Sequence, residues 1–354
     1  MIQQAEKPGI ETAAETLTPA LSQREKGQLL PLAVAIALGK ATVLLVIFLA
    51  AQLLPFFDAQ FLVNFVDPPF QQLSLAAAFS TWDAQHYLYL SENGYQPGQE
   101  SNAFFPLFPA LIHLVTPLAG SSLVAGLVVS NVASLAGLLV LFRFVQHLYG
   151  ENVATDTLLL LLALPTAFFF SLVYSESIFL LLTALFFYFL YRNRWGWAAL
   201  PAALLPLARP AGALVIVPFA AYYLLDYLGL GRRRVTRPAW FSPRTLWLLS
   251  PFLGIAVYLL VMWLATGNPL ELMNAEKGYV SGYSILHILH PAGLWAQLTQ
   301  GPLHIHGYTD SMIDRAFFCA FLALLVPMFR RLPLPLSLFA LATGLLSVLS
   351  GTFM

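Results

Sequence analysis

SLVAGLVVSNVASLAGLLVLF, residues 122–142, is an uncharged run of 21 residues that decides the fold class of the chain. A helix needs about 20 predominantly apolar residues to cross a hydrocarbon core about 30 Å thick, and this run meets that requirement. The chain has 354 residues, 59% of them hydrophobic and 10% charged, and its mean hydropathy is +0.75. Because soluble domains are only about 45–50% apolar, this composition indicates a membrane protein.

Comparable apolar segments recur along most of the chain, at about 31–57, 103–119, 122–147, 155–173, 175–191, 195–208, 211–228, 246–266, 311–329 and 334–350. The alternating segments of about ten residues that build a transmembrane barrel are not visible. We therefore predict an all-α, polytopic transmembrane helical bundle of about 9–10 hydrophobic segments. Residues 29–354 are expected to form a single transmembrane domain, and residues 1–28 a disordered cytoplasmic tail without the apolar core of a signal peptide.

The placement of Lys and Arg predicts how the segments are oriented. Three short turns are rich in arginine, whereas loop 58–102 contains no Lys or Arg and loop 267–310 contains only Lys277. Both loops are therefore expected on the non-cytoplasmic side. The number of crossings fits this orientation if the proline-rich segment 103–119 is partial or re-entrant, which is tolerated where protein covers it.

Several classes of function are disfavoured by composition. The net charge is zero and the pI is near 7.1, so no nucleic-acid partner is expected. Cys319 is the only cysteine, which excludes an internal disulfide and a cysteine-based metal cage. His304 and His306 do not have the spacing of a metal site, and neither a metal nor a cofactor is expected. Most acids of the outer loops, including Glu92, Glu100, Glu271 and Glu276, are interpreted as solvated.

Asp83 is the acid whose setting differs most from that of a solvated loop residue. It opens the stretch WDAQHYLYLSENGY, residues 82–95, directly after an interfacial tryptophan. The spacing predicts a surface helix that ends at Gly94. On that helix Asp83, His86 and Tyr87 share one face, aimed at a cleft. An N-cap aspartate explains the pattern equally well, because Asp before a helix accepts backbone N–H bonds.

Glu176 and Arg209 are the other unusual charges at the predicted outer boundary. Glu176 interrupts the apolar run around FFFSLVYSESIFLLL, and either a helix cap or a ligand contact explains it. Arg209 follows a 14-residue apolar run about 21 Å long, just beneath the interface. Snorkelling explains an arginine at this depth. Bidentate phosphate binding explains it as well, with Lys277 and Arg315 as the other basic groups on that side.

These segments resemble the PIG-V family of integral membrane mannosyltransferases, within the GT-C superfamily. The resemblance is carried by WDAQHYLYLSENGY with NAFFPLFPALI (82–112), PTAFFFSLVYSES (165–177), YRNRWGWAALPAALLPLARPAG (191–212) and GNPLELMNAEKGY (267–279). It covers roughly residues 80–280. His113 departs from it, because relatives often carry arginine there. The chain also ends at Met354, where further spans and a basic-aromatic motif are expected.

The resemblance implies transfer of a hexose, usually mannose, from a polyprenyl- or dolichyl-phosphate sugar on the non-cytoplasmic face. It also implies an acid of the first outer loop as general base, a position that Asp83 matches. The donor, a glycan or glycolipid acceptor and membrane lipids are then the expected partners. Substrate contacts are expected from Trp82, His86, Tyr87, Tyr95, Glu176, Arg209, Lys277 and Arg315.

The sequence-based hypothesis is an inverting, multi-pass membrane glycosyltransferase with Asp83 as the base. Among eukaryotic relatives the acceptor would be a glycosylphosphatidylinositol-like glycolipid. The expected location is the plasma membrane in a bacterium or the endoplasmic reticulum membrane in a eukaryote. A transporter or flippase of a lipid-linked sugar is the alternative, and it should show internal repeats and mid-membrane charges. A structural scaffold subunit would explain the spans alone.

Overall fold

The computed structural model of the protein describes residues 23–54, 75–230, 243–276, 290–300 and 311–346. Within these ranges the regular structure is helical, because a segment in hydrocarbon must pair its own backbone N–H and C=O groups. Lys277, His304 and His306 lie outside the described residues. The α-helices are α1 (Gln23–Leu53), α2 (Leu75–Ala78), α3 (Asp83–Asn93), α4 (Leu107–Ala119), α5 (Ser122–Tyr149), α6 (Glu151–Ala163), α7 (Glu176–Tyr191), α8 (Trp195–Ala208), α9 (Ile216–Tyr227), α10 (Pro243–Trp247), α11 (Ser250–Thr266), α12 (Glu271–Glu276), α13 (Pro291–Gln300), α14 (Met312–Arg331) and α15 (Leu334–Leu346).

Long apolar helices confirm the predicted all-α, polytopic bundle. In the described part of the chain, five helical stretches are long and apolar enough to cross a membrane: Leu29–Leu53, Ser122–Tyr149, Pro210–Tyr227, Arg244–Thr266 and Met312–Arg331. Four of the other predicted segments form apolar helices of 10–17 residues. Helix α4 is one of them, and its 13 residues extend only about 20 Å, less than the hydrocarbon core. Helix α1 begins at Gln23, inside the stretch predicted as a tail.

The predicted span 155–173 is not one straight helix. Helix α6 ends at Ala163, and the chain bends by 91° into a 3₁₀-helix over Pro165–Ser171. The cause is Pro165, because a proline disfavours the helical conformation of the residue before it. Leu164 accordingly has an extended backbone, with ψ of 136°. The bend delivers the non-helical residues that follow to the end of the bundle.

Helices α7 and α8 form a hairpin that sets the level of two charged residues. A short turn at Arg192–Arg194 joins the arms, which are 16 and 14 residues long, or about 24 and 21 Å. The arms pack against each other, and α7 also packs along α5. Because the arms start at the same turn and have similar lengths, Glu176 and Arg209 emerge at the same end of the hairpin.

Helix α3 lies across this same end of the bundle, which we call the site end. Its buried Tyr87 contacts the rings of Phe104 and Phe108 edge-on, at 5.1 and 4.9 Å between centroids. Gly94 ends the helix as predicted, with its N–H donating to the carbonyl of Leu90 and with φ of 70°. The packing fixes the helix against α4, and with it the direction in which Asp83 faces.

Candidate active site

Asp83 is the first residue of α3, and its side chain is half-buried at the site end. The N-cap position belongs to Trp82, which makes no side-chain capping bond. The interpretation of Asp83 as an N-cap is therefore wrong. In the described part of the chain, no residue donates a hydrogen bond to the Asp83 carboxylate. Its oxygens are partly exposed and can accept further hydrogen bonds.

Trp82, directly before Asp83, has a backbone conformation that is rare for a bulky side chain. Its φ is 54° and its ψ −126°, and such outliers persist only where the surroundings impose them. The surroundings here are the carbonyl of Thr81, which accepts bonds from the Ala84 N–H at 3.2 Å and the Tyr174 hydroxyl at 3.0 Å. The turn holds the start of α3 against the chain just before α7, while Trp82 itself is 47% exposed.

Tyr87 connects α3 to the N-terminus of α7. It lies one turn after Asp83, and its hydroxyl is 2.7 Å from the Ser175 hydroxyl. Burial raises the pKa of Tyr87, so the phenol stays neutral and keeps its proton for hydrogen bonding. Tyr87 therefore faces the same cluster as Asp83, as the i, i+4 spacing predicts.

Glu176 and Arg209 meet at the site end as an ion pair between the two arms of the hairpin. Both side chains are half-buried. The second oxygen of Glu176, Oε2, is buried without a hydrogen-bond partner among the described residues. Since guanidinium carries five N–H donors, one carboxylate contact leaves Arg209 with capacity for a further anionic ligand.

The Arg-x-x-Gly element at 209–212 has a steric cause. The N–H of Gly212 donates to the carbonyl of Arg209 at 2.9 Å, which closes a tight turn after α8. A Cβ atom on Gly212 would lie 1.9 Å from the carbonyl oxygen of Leu205. Glycine therefore lets the turn fold back onto α8 and hold Arg209 beside Glu176.

The electrostatics of this cluster centre on Asp83. Burial and, to a smaller extent, the charge of Glu176 raise the pKa of the Asp83 carboxyl, the charge of Arg209 opposes the increase, and the net pKa is about 6. A carboxylate with this pKa is mostly ionised at neutral pH but is more basic than an ordinary aspartate. A base is most effective when its pKa lies near the operating pH.

His86 does not join Asp83 as the shared-face prediction stated. Its Nδ1 is 2.9 Å from the Ser101 hydroxyl, and its ring stacks on Phe104 with 4.6 Å between centroids. Burial lowers the pKa of His86 to about 4, and it is neutral at physiological pH. The prediction that Asp83 and His86 face one cleft is wrong, because i+3 and i+4 neighbours lie on opposite sides of residue i.

The remaining predicted contacts have other positions. The Tyr95 hydroxyl donates to the carbonyl of Phe104 at 2.7 Å, which is a structural role in the loop. Arg315 is buried on α14 and is not among the groups that shift the pKa of Asp83. The structure thus brings together Asp83, Tyr87, Glu176 and Arg209.

Lys40 of α1 is a residue that sequence analysis missed. Its Nζ donates to the carbonyl of Phe170 at 2.6 Å and to the Ser171 hydroxyl at 3.2 Å. The same Phe170 carbonyl accepts bonds from Ser134 at 2.8 Å and from Ser177 at 3.2 Å. These donors satisfy a backbone carbonyl that lost its helical partner where the span breaks. Within hydrocarbon every backbone polar group must have such a partner. A lysine inside an apolar span was the available signal.

Glu271 was interpreted as a solvated loop acid, and that interpretation is wrong. The residue is buried, and its Oε1 accepts the N–H of Gly98 at 2.9 Å across 173 residues of sequence. Its Oε2 accepts a bond from Asn268 at 3.0 Å. The bond from Gly98 is the main cause that lowers the pKa of Glu271. The carboxylate joins the two long loops at the site end.

The fold and the cluster together define a multi-pass membrane protein with a partly exposed carboxylate beside a carboxylate–guanidinium pair. The family model described as "Mannosyltransferase (PIG-V)" matches residues 29–222, more than half of the chain. The chain belongs to this family, which confirms the resemblance found in its motifs. Asp83, Tyr87, Glu176 and Arg209 all lie inside the matched region.

Two curated relatives show the same similarity. Both are named GPI mannosyltransferase 2 and come from Cryptococcus neoformans var. neoformans serotype D, strains JEC21 and B-3501A. Each is 36% identical over 113 residues, which is 29% of this chain and 26% of the relative. The match thus spans about a quarter of the length of these relatives. No solved structure matches the chain.

Proposed function

We propose that the protein is a membrane mannosyltransferase that uses a polyprenyl- or dolichyl-phosphate mannose donor and a glycolipid or lipid-linked acceptor. The family assignment supports the sugar that is transferred. The observation that carries the chemistry is the Asp83 carboxylate, which has a pKa of about 6 beside the Glu176–Arg209 pair. This combination supplies a base and a phosphate ligand within one small cluster.

In the proposed reaction Asp83 accepts the proton of an acceptor hydroxyl while that oxygen attacks the anomeric carbon of mannose. The new carbon–oxygen bond forms as the bond from the anomeric carbon to the phosphate oxygen breaks, so the configuration inverts. The lipid phosphate leaves with the electron pair and gains one negative charge. Preorganised charge is most effective where charge develops in the transition state, and Arg209 provides it.

Glu176 acts through Arg209 in this scheme. Its contact holds the guanidinium between the arms of the hairpin, and its charge raises the pKa of Asp83. Arg209 opposes that increase and keeps the base ionised at neutral pH. The pair therefore adjusts the base and positions the phosphate ligand at the same time.

The site is proposed to face the non-cytoplasmic side, because the arginine-rich turns lie at the opposite ends of the spans. Cysteine labelling tests this orientation. A cysteine at Gln99 should react with an impermeant thiol reagent added outside, and one at Thr236 should not. Labelling of Thr236 from outside would reverse the orientation and place the site in the cytoplasm.

The activity is tested with membranes, radiolabelled polyprenyl-phosphate mannose and identification of the labelled product. We expect transfer by the unmodified protein and a loss of about 10²–10⁴-fold in Asp83→Asn. Asp156→Asn is the matched control, because Asp156 is an exposed residue of α6 outside the cluster. Equal product formation by Asp83→Asn and the unmodified protein would exclude Asp83 as the base.

A further inference from the structure

An apolar groove of about 440 Å³ lies between α1 and α6. Both helices pack against α5 and against the 3₁₀-helix that follows α6, and the groove runs between them. Its volume is in the range of small-molecule binding sites, about 300–1,000 Å³. On α1 it is lined from Leu32 to Val43, a distance of about 17 Å along the helix and about half of the hydrocarbon core. The groove is therefore elongated along the spans.

The walls of the groove are lined by apolar residues and leave width between them. Leu159 and Leu162 line it from α6, and Ala35 and Gly39 line it from α1. The two small residues are four positions apart, so they lie on one face of α1, and both are exposed. A Cβ atom on Gly39 would meet no neighbouring atom of the described residues within 4 Å. Gly39 thus leaves open space in the wall.

The polar side chains of the lining, Lys40, Thr155 and Ser171, already have partners. Lys40 donates to the carbonyl of Phe170 and to the Ser171 hydroxyl, and the Thr155 hydroxyl donates to the carbonyl of Glu151 at 3.0 Å. An occupant therefore needs no polar group of its own within the groove. This lining fits a hydrocarbon chain.

Aromatic contacts connect the groove to the candidate active site. Phe168 lines the groove, and its ring centroid is 4.2 Å from that of Phe169. The ring of Phe169 in turn lies 6.5 Å from that of Trp82, the residue directly before Asp83. One end of the groove thus adjoins the start of α3.

The same end of the groove adjoins the proposed phosphate ligand. Phe170 lines the groove, and its carbonyl accepts a bond from the Ser177 hydroxyl at 3.2 Å. Ser177 directly follows Glu176, which forms the ion pair with Arg209. A lipid chain in the groove therefore has its nearest charged cluster at the Glu176–Arg209 pair.

This position distinguishes the lipid parts of the two proposed substrates. In a polyprenyl-phosphate sugar the chain is joined directly to the phosphate that leaves, so it must begin where Arg209 holds that phosphate. In a glycolipid acceptor the glycan separates the reacting hydroxyl from the acyl chains. A hydrocarbon chain that begins beside the pair therefore belongs to the donor.

We propose that the groove holds the first isoprene units of the donor chain and prefers methyl-branched chains to straight ones. Lipid tails are as apolar as the groove, so the preference must come from shape and van der Waals packing. The open space beside Gly39 accommodates a methyl branch. The inference rests on the proposed function for the phosphate at Arg209, whereas binding of the chain is measured without transfer.

Phytanyl phosphate and hexadecyl phosphate test this preference directly. Their main chains have equal length, and only the phytanyl chain carries methyl branches. Each compound is titrated onto the purified full-length protein in detergent, and native mass spectrometry measures the bound fraction. We expect a Kd for phytanyl phosphate that is about three- to tenfold lower, the effect of a few added van der Waals contacts. An equal or lower Kd for hexadecyl phosphate would overturn the inference, because the groove would then hold lipid chains in general.

Variants locate the binding. Gly39→Leu fills the open space, and Ala35→Leu narrows the same face one turn away; both introduce a good helix former at an exposed position. Each should raise the Kd for phytanyl phosphate about tenfold, the effect of overfilling an apolar contact. The matched control is Ala37→Leu, since Ala37 is exposed on α1 but is not a lining residue. An unchanged Kd in both groove variants would overturn the inference.

Turnover separates this inference from the proposed function. With phytanyl-phosphate mannose as the donor, Gly39→Leu should raise the donor KM and leave the acceptor KM unchanged. If the unmodified protein binds phytanyl phosphate through the groove but transfers no mannose, the proposed function fails and the groove stands. If transfer proceeds and neither groove variant changes the donor KM or the Kd, the groove assignment fails alone.

Discussion

Replacing Asp83 by Asn should increase the stability of the protein while removing its activity. In the folded protein the pKa of Asp83 is about 6, against an ordinary value of 3.8. This difference of about two pH units corresponds to about 3 kcal/mol. Because the folded-state pKa is raised, the carboxylate costs stability progressively as the pH rises from about 4 to 6, and the cost is constant above that. Asn carries no charge and avoids this cost.

A smaller effect acts in the opposite direction. A negative charge in the first turn of a helix stabilises it by about 0.3–1 kcal/mol, and Asn loses this interaction at the start of α3. Loss of an N-cap does not contribute, because the cap position is Trp82. The net expectation is a gain of about 2 kcal/mol at neutral pH. At about 2.1 cal/mol/K per residue, this corresponds to a rise in Tm of about 3 °C.

The assay is thermal unfolding of both proteins in the same detergent at pH 4.5 and 7.5, with mannosyl transfer measured at pH 7.5. The difference in Tm should be about 3 °C at pH 7.5 and smaller at pH 4.5, where Asp83 is mostly protonated in the folded protein. Transfer should fall about 10²–10⁴-fold. A lower Tm for Asp83→Asn at pH 7.5 would refute the electrostatic reasoning and favour a structural role.

Three further changes test the surroundings of Asp83, the proposed base. Arg209→Ala should raise the donor KM, and Arg209→Lys should recover it only in part because an ammonium group lacks the planar fork of guanidinium. Since Arg209 lowers the pKa of Asp83, Arg209→Ala should also move the acidic limb of the pH–rate profile above about 6. A limb that does not move would contradict this coupling between Arg209 and Asp83. Glu271→Gln should speed amide exchange at Gly98 about fivefold at neutral pH, by weakening a charge-assisted bond. The effect should vanish at a pH below the lowered pKa of Glu271, and its persistence there would count against the carboxylate. Lys40→Met should lower kcat by about 10–10²-fold through misplacement of the chain after Phe170, as measured by transfer in folded protein, and an unchanged kcat would limit Lys40 to packing.

The identity of the charged site residues was predictable, but their assembly only in part. Asp83, Glu176 and Arg209 are conspicuous because acids and arginines are rare in apolar surroundings. Glu176 and Arg209 come together because α7 and α8, with 16 and 14 residues, extend from the same turn over nearly equal lengths. The side of α3 that faces the bundle was not readable from the spacing, because His86 and Tyr87 flank Asp83 symmetrically.

Two of the features that sequence analysis missed depend on contacts between residues far apart in the sequence, and the third depends on the conformational preference of the residue before a proline. Glu271 contacts Gly98 across 173 residues, and nothing near either residue indicates that bond. Lys40 contacts backbone 130 residues away, and its lone position in an apolar segment resembles ordinary snorkelling. The break before Pro165 was predictable from the pre-proline rule. Continuous hydrophobicity on both sides concealed it.

The threefold acceptor at the Phe170 carbonyl has a consequence for biogenesis. The carbonyls in the last turn of a helix have no partner within the helix, and in lipid they must find one in the protein. Two of the three donors to the Phe170 carbonyl, Lys40 and Ser134, belong to helices synthesised before it. The third donor, Ser177, follows only seven residues later. If the helices enter the membrane in the order of their synthesis, α1 and α5 are therefore already inserted when the broken span follows. With this order of helices, the Phe170 carbonyl does not enter the bilayer before its hydrogen-bond donors are there.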